Sequence, residues 1–206
     1  MIRLYDYWRS SASYRVRIAL NLTQEKWSSI SINLVDGEQV SKTHLDRNPQ
    51  GLVPALEIDG KLLTQSLAII EYLDETRNLG LLPVHTSDRA QVRALSQAIA
   101  MEIHPVCNLR VAKFATSFNT DLTMQKWMQR FIGPGLEAFE KMLAGGDFCF
   151  GDKITLADLC LMPQLYNAER WQVNLSDMPK IQRIADNLAS IDAFDQAHPD
   201  NSRSDI

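Results

Sequence analysis

The sequence predicts an α/β domain at residues 1–80, a linker at residues 81–86 and an all-helical domain at residues 87–206. Two observations predict this organisation. Over the first domain the spacing of apolar residues changes period repeatedly, as it does where strands and helices alternate. From Ser87 onward the spacing is helical almost to the end, and Gly80–Thr86, with Pro83 inside it, is typical of a connection between domains.

Each element of the α/β domain is marked by apolar periodicity or by a turn signal. In chain order the predicted elements are a strand from Ile2, a helix over 16–22, a strand over 30–34, a short helix over 41–47, hairpin strands over 55–58 and 61–64, and a helix over 66–75. Asp59-Gly60 separates the hairpin strands and is a two-residue turn signal. The order β-α-β-α-β-β-α joins a parallel crossover to an antiparallel hairpin, which is a thioredoxin-like arrangement.

The second domain is predicted from helical periodicity and helix-ending residues. The predicted helices cover 88–115, 122–143, 156–165 and 179–190. The first is expected to kink near His104-Pro105, because an interior proline removes a backbone hydrogen bond. Thr155-Leu-Ala-Asp158 fits a capping box with aspartate in the usual place of glutamate, so we interpret Asp158 as a cap and not as a catalytic acid.

Composition narrows the class of protein. A content of 45% hydrophobic and 22% charged residues excludes a disordered tail or a collagen-like fibre. No apolar run approaches the roughly 18 residues of a membrane span, and the N-terminus lacks the pattern of a secretory signal. We therefore expect a cytoplasmic protein without a membrane partner, and the net charge of −4 argues against a nucleic-acid partner.

The three cysteines do not predict a disulfide framework or a metal site. Cys107, Cys149 and Cys160 show no CxxC spacing and cannot all pair with one another. We interpret them as reduced thiols that serve packing, and we expect no metal.

Hydroxyl groups cluster between the end of the first strand and the start of the first helix, in WRSSASYRVRIALNL at residues 8–22. A helix N-terminus carries unpaired N–H groups and a partial positive charge, so it stabilises an anion such as a thiolate. The alternative interpretation is that Ser10, Ser11 and Ser13 only cap the helix. Spacing alone does not separate the two interpretations.

A second polar segment lies in NPQGLVPALEIDGKLLTQSLAIIEYLDE, residues 48–75. Val53-Pro54 directly precedes a strand, where proline requires an edge position or a special geometry such as a cis bond. Gln65-Ser66 lies before an apolar helix and offers a second N-terminus suited to a carboxylate. Simple capping is again the alternative interpretation.

Together these two segments resemble the glutathione-binding domain of the glutathione transferases, and the serine run followed by RVRIAL resembles the zeta class. The resemblance covers nearly the whole chain. It continues through LLP at 81–83, IHPVCNLR at 103–110, GDKITLADLCLMPQLYNAERWQV at 151–173 and DAFDQAHP at 192–199. It implies a glutathione transferase fold, with glutathione as the cofactor and a homodimer as the assembly.

The resemblance also implies roles for particular residues. Ser11, aided by Ser10, would donate a hydrogen bond to the glutathione thiolate and lower the thiol pKa. The cysteinyl amide of glutathione would pair with the main chain at Val53, beside cis-Pro54. The remaining implied glutathione contacts are Gln65 and Ser66 at the γ-glutamyl carboxylate, and His104 and Asn108 from the helical domain.

The activity that the resemblance implies is cis-trans isomerisation of maleylacetoacetate, by thiolate addition, bond rotation and elimination. Such a dicarboxylic cis-enone substrate requires cations, and the implied ones are Arg9, Arg170 and Arg110. Without the resemblance, Arg9 and Arg170 would be interpreted as members of surface ion pairs. Arg17 is expected to be structural.

One departure from the family pattern is visible. Many zeta-class members have SSCS where this chain has Ser10-Ser11-Ala12-Ser13, so the thiol beside the expected catalytic serine is missing. This difference puts in doubt any side activity that relies on that cysteine. The alternatives are a maleylpyruvate isomerase, a general glutathione S-transferase and a non-enzymatic interaction module with the same fold.

Overall fold

The structure, a computed structural model, describes residues 1–202. Its first part contains a four-stranded sheet in the order β2-β1-β3-β4. The strands are β1 at Ile2–Asp6, β2 at Trp27–Ser31, β3 at Ala55–Ile58 and β4 at Lys61–Thr64. β1 pairs in parallel with β2 and antiparallel with β3, and β3 pairs antiparallel with β4. This topology confirms the predicted thioredoxin-like arrangement.

The helices of this part connect and cover the sheet. The crossover between β1 and β2 is α1 at Ser11–Thr23, a 3-10 turn at Glu38–Val40 precedes α2 at Lys42–Leu45, and α3 at Ser66–Arg77 follows β4. The buried face of α1 contributes Val16, Ile18 and Leu20 to the core. Arg17 lies on the same helix and is also buried, because its guanidinium donates two hydrogen bonds to Asp6 at 2.9 and 3.0 Å. Arg17 is therefore structural, as expected.

The second strand lies three residues earlier in the chain than the alternation of apolar residues predicted, at Trp27–Ser31 instead of 30–34. β2 ends at Ser31, and the chain turns at Asn33. There the Asn33 N–H donates to Glu38 Oε2 at 2.7 Å, and Asn33 Oδ1 accepts from the Val35 N–H at 3.0 Å. Polar contacts of this turn thus replace strand pairing for Leu34, which packs instead against a cluster of Tyr5, Ile32 and Ala55.

The helical part contains a break that the sequence analysis did not predict. Instead of one helix over 88–115, the chain forms α4 at Thr86–Gln97, a π-helical segment at Ala98–Ile103, α5 at His104–Val106 and α6 at Leu109–Thr116. The helix does not simply kink at Pro105. It ends after Val106 and restarts because Asn108 caps α6, with Asn108 Oδ1 accepting from the Arg110 N–H at 3.1 Å.

The later helices are α7 at Met124–Met142, α8 at Leu156–Arg170 and α9 at Pro179–Ala189. Of these, α7 and α9 agree with their predictions within two residues, whereas α8 continues five residues beyond its predicted end at 165. The predicted capping box of α8 is present, and Asp158 accepts from the N–H and the hydroxyl of Thr155 at 2.7 and 2.8 Å. Asp158 also accepts from the Cys149 N–H at 2.8 Å, so its buried carboxylate is occupied by structural hydrogen bonds.

The chain forms two compact units. One contains Met1–Gly80 together with the C-terminal segment from Ile191, and the other contains Leu81–Ser190. The predicted domain boundary differs at the C-terminus, because all of residues 87–206 were assigned to the helical domain. Of these, residues 203–206 lie outside the part of the chain that the structure describes. The segment with α10, Asp192–Gln196, joins the first unit through α1, where Arg17 Nε donates to the Ala197 carbonyl at 3.0 Å.

Within residues 1–202, no helix combines the length and the apolar character that crossing a membrane requires. In the same part of the chain, no group of three or more histidine, cysteine, aspartate or glutamate side chains is arranged to hold a metal ion.

Candidate active site

The N-terminus of α1 places the serine run at the carboxyl end of β1. Ser10 is the N-cap residue, and its hydroxyl oxygen accepts from the Ser13 N–H at 3.2 Å. Ser11 is the first residue of the helix and is 9% exposed. No acidic side chain lies in the first turn of α1, so the partial positive charge of this helix end is not neutralised there. The capping interpretation therefore holds for Ser10, while Ser11 stands at the helix end where an anion would be stabilised.

Arg9 is held by two aromatic side chains beside this helix start. Its Nη2 donates to the Tyr7 hydroxyl at 3.0 Å, and its guanidinium carbon lies 4.6 Å from the centre of the Trp8 ring. Among residues 1–202 no carboxylate pairs with Arg9, in contrast to the surface ion pair of the alternative interpretation. The guanidinium is thus oriented, and its charge is available to an anionic ligand.

Val53 lies two residues before Ala55, the first paired residue of β3. The Val53-Pro54 bond is cis, as the sequence suggested. The Val53 side chain packs against the cluster that contains Tyr5 and Ala55. Since the described pairing of β3 begins at Ala55, the main chain of Val53 lies outside the sheet ladder.

Gln65 and Ser66 form the start of α3. Gln65 has a φ of +70°, and its Nε2 donates to Gln50 Oε1 at 2.6 Å. Ser66 is 7% exposed, and its hydroxyl oxygen accepts from Arg15 Nη1 at 3.3 Å. Because that oxygen is already an acceptor, the hydroxyl hydrogen of Ser66 can be donated to a further group.

Four predicted site residues belong to the helical unit. His104 begins α5, and Asn108 is the N-cap residue of α6. Arg110 is exposed in the first turn of α6, and Arg170 is the exposed last residue of α8, with its guanidinium carbon 5.4 Å from the centre of the Trp171 ring. The structure gives Asn108 a capping contact that the sequence analysis did not predict. The proposed ligand contacts of all four remain predictions.

The sequence did not predict the contacts of three residues near the expected site. Arg15 contacts Ser66, as described above. His44 Nε2 and Asn48 Nδ2 both lie within hydrogen-bond distance of the Leu52 carbonyl oxygen, at 2.8 and 2.9 Å. The sequence contained one usable signal, because His44 and Asn48 are four residues apart and would share a face of a helical turn.

The protein's own thiols are poorly suited to nucleophilic chemistry. Burial raises the pKa of Cys107 to about 12. Burial, reinforced by the nearby Asp158 carboxylate, also raises the pKa of Cys149 well above its usual value. Neither side chain is therefore a thiolate at neutral pH, and the third cysteine, Cys160, is fully buried.

Comparisons with known proteins agree with this architecture. Residues 1–75 match the family model of the glutathione S-transferase N-terminal domain, and residues 108–195 match that of the glutathione S-transferase C-terminal domain. The maleylacetoacetate isomerase of Rhizobium meliloti is 58% identical over 206 residues, covering 97% of each chain. That of Mus musculus is 44% identical over 201 residues, covering 95% of this chain and 91% of the mouse protein.

Solved structures give the same result. A holo structure of a bacterial zeta-class maleyl pyruvate isomerase has a TM-score of 0.93 and 37% identity, covering 97% of this chain and 98% of the other. The maleylacetoacetate isomerase of Anaeromyxobacter dehalogenans, with glutathione bound in its active site, has a TM-score of 0.89 and 38% identity, covering 98% and 96%. The chain belongs to the glutathione S-transferase family and, within it, to the zeta class that includes the maleylacetoacetate isomerases.

Proposed function

We propose that this protein is a glutathione-dependent isomerase that converts maleylacetoacetate to fumarylacetoacetate in the breakdown of tyrosine and phenylalanine. The observation that carries the proposal is the 58% identity over the full chain to a maleylacetoacetate isomerase. A cytoplasmic location is part of the same proposal.

The donor groups of the first unit fit glutathione. A hydroxyl at the N-terminus of α1 suits a thiolate, an unpaired stretch of main chain at Val53 suits a peptide, and Ser66 backed by Arg15 suits a carboxylate. Glutathione contains these three groups. When bound, it supplies the sulfur nucleophile that adds to the cis double bond and leaves again after rotation.

The residues of this chain then have separate tasks. Ser11, aided by Ser10 and the positive end of α1, holds the sulfur in its anionic form by hydrogen bonding. Val53, Pro54, Gln65 and Ser66 orient the tripeptide. His104 and Asn108 are proposed to contribute further contacts from the helical unit.

Arginines are proposed to bind the two carboxylates of the substrate. Arg9 has the clearest structural support, because Tyr7 and Trp8 orient its guanidinium and no described carboxylate neutralises it. Arg170 and Arg110 are exposed and complete the proposed set. A planar guanidinium can bind a carboxylate through two parallel hydrogen bonds, which would fix the orientation of the substrate.

Isomerisation of maleylpyruvate is the second candidate, and the structural match to a maleyl pyruvate isomerase at a TM-score of 0.93 favours it. The two substrates share the dicarboxylic cis-enone chemistry. Relative values of kcat/KM for the two compounds would distinguish the candidates. General conjugation of electrophiles remains a third candidate, and it would be favoured by activity on uncharged electrophiles that is insensitive to Arg9→Ala.

The proposed assembly is a homodimer, which follows from family membership. Light scattering at micromolar concentration should give twice the chain mass of 23.3 kDa. A monomeric mass would contradict this part of the proposal.

Substitution of Ser11 tests the chemistry. We expect Ser11→Ala to lower kcat/KM for maleylacetoacetate at least tenfold, about 1.4 kcal/mol of barrier, because the thiolate loses a hydrogen bond. Ser31→Ala, on the exposed edge strand, is the matched control and should leave activity unchanged. Full activity of Ser11→Ala would contradict the assigned role, and failure of the wild type to bind a glutathione resin would favour the non-enzymatic alternative.

A further inference from the structure

Two buried polar side chains converge on one carbonyl oxygen in the loop before Pro54. His44 is 1% exposed and Asn48 is 2% exposed. The His44 Nε2 lies 2.8 Å from the Leu52 oxygen, and Asn48 Nδ2 donates to the same oxygen at 2.9 Å. A carbonyl oxygen can only accept, so Nε2 is the donating nitrogen of His44, and the two lone pairs of the Leu52 oxygen are both used.

The two donors are held together by the chain that carries them. The Asn48 N–H donates to the His44 carbonyl at 2.8 Å, which continues the turn of α2 and places both side chains on one face. Ser41 caps α2 through a hydrogen bond from the His44 N–H to its hydroxyl oxygen at 3.3 Å. The direction of both donors is therefore fixed before any ligand binds.

Fixing the Leu52 carbonyl also fixes the N–H of Val53. The two groups belong to one planar peptide unit, and in a trans unit they point in opposite directions. Only the Val53-Pro54 bond is cis among residues 1–202, so the Leu52-Val53 unit is trans. With the carbonyl directed at His44 and Asn48, the Val53 N–H is directed away from them.

The rest of the loop is tied down by the same asparagine. Asn48 Oδ1 accepts from the Gln50 N–H at 3.2 Å, and the Asn48 carbonyl accepts from the Gly51 N–H at 2.9 Å. The Gln50 side chain in turn accepts the hydrogen bond from Gln65 at the start of α3. The loop is thus connected to the second ligand-binding segment of the first unit.

We propose that His44 and Asn48 are positioning residues, which direct the Val53 N–H toward the bound tripeptide by fixing the Leu52 carbonyl. The inference rests on the proposed function, because it requires glutathione to bind along Val53. Neither side chain touches the reacting atoms. Their effect is on the affinity for glutathione, since a mobile peptide unit must be ordered when the ligand binds.

Isothermal titration calorimetry of the unliganded protein with glutathione, in the absence of substrate, tests this inference. His44→Leu removes the donor at similar bulk, whereas His44→Gln keeps an amide donor of similar reach. We expect Kd for glutathione to rise about tenfold in His44→Leu and to stay within about threefold of wild type in His44→Gln, because only His44→Leu loses the hydrogen bond to the Leu52 carbonyl. Asn48→Asp leaves the His44 ring in place and should raise Kd at least as much, because a carboxylate cannot donate to the carbonyl.

The control is Lys42→Ala, which removes an exposed ion pair with Asp46 on the same helix and should leave Kd unchanged. Hydrogen exchange of the unliganded protein should increase in residues 50–53 for His44→Leu and not for His44→Gln. At saturating glutathione, kcat should change little in all variants, because the variants weaken the binding of glutathione equally in the ground state and in the transition state.

An equal rise of Kd in His44→Gln and His44→Leu, or an unchanged Kd in both His44→Leu and Asn48→Asp, would overturn this inference and leave the proposed function intact. A wild-type protein that does not bind glutathione would overturn the proposed function as well.

Discussion

At the scale of single residues, the site depends on side chains whose partners are distant in sequence. Arg15 and Ser66 are separated by 51 residues, and Arg17 reaches the Ala197 carbonyl 180 residues away. The RVRIAL run predicted a helix with an apolar face. The same run contains two arginines, and they are buried for different reasons. Arg17 neutralises Asp6 in the core, and Arg15 donates to the Ser66 hydroxyl, in a segment that is proposed to bind glutathione. Residue type and spacing alone could not separate these roles.

Asp59 provides a residue-scale prediction for pH dependence. Two hydrogen bonds from Arg77, at 2.6 and 2.9 Å, and one from the Tyr72 hydroxyl hold the pKa of Asp59 well below its ordinary value of 3.8. A depressed pKa in the folded state gives stability that is present above the ordinary value and is lost as the pH falls below it. We expect Asp59→Asn to lower the urea midpoint at about pH 7, and the difference from wild type to shrink by about pH 3.

The substitution is compatible with the backbone, because asparagine tolerates the φ of +52° at this position. Asp46→Asn, which removes an exposed pair with Lys42, is the control and should change the midpoint little at either pH. An Asp59→Asn effect of equal size at both pH values would show that the charge of Asp59 is not its cause.

At the scale of elements, periodicity predicted most helices and strands. The errors occurred where a polar side chain or tertiary packing determines where a helix or a strand ends. α7 was predicted over 122–143 and runs Met124–Met142, because regular apolar spacing extends through it. The break at Asn108 depends on a cap inside an otherwise helical pattern. The Leu52 carbonyl contacts of His44 and Asn48 depend on the path of a loop, which periodicity does not describe.

Close packing of α7 against the π-helical segment gives an element-scale prediction. A Cβ at Gly135 would lie 2.6 Å from both Cγ1 and Cδ1 of Ile103, which is buried. We expect Gly135→Ala to destabilise the protein by up to about 2 kcal/mol, because an overpacking cost of about 1–3 kcal/mol outweighs the gain of about 1 kcal/mol in helix propensity. Chemical denaturation would measure the change.

Gly133→Ala is the matched control on the same helix. Its nearest described neighbour would be Val173 Cγ1 at 3.7 Å, an ordinary contact distance. Because Pro134 follows and disfavours a helical backbone before it, the expected gain is smaller than the usual propensity difference. Gly133→Ala should therefore be neutral or slightly stabilising, and equal losses for both glycines would contradict the packing explanation.

At the scale of the whole molecule, the position of a segment along the chain does not determine which compact unit it joins. The chain leaves the first unit at Gly80 and returns to it at Ile191. The sequence of the segment that begins at Ile191 carries no information about which unit it joins. Hydrogen bonds from Arg17, Asn21 and Tyr14 to carbonyls of the C-terminal segment make that assignment.

Truncation of Phe194 tests this organisation. The side chain is fully buried in the C-terminal segment, and its carbonyl accepts from the Tyr14 hydroxyl at 3.4 Å. We expect Phe194→Ala to cost about 3–5 kcal/mol of stability and to increase hydrogen exchange in α1, which belongs to the same unit. Phe118→Ala, at a side chain that is 73% exposed, is the matched control and should change neither property measurably. If exchange in Phe194→Ala rose in α8 and α9 while α1 stayed protected, the C-terminal segment would belong with the helical unit, as the sequence alone had predicted.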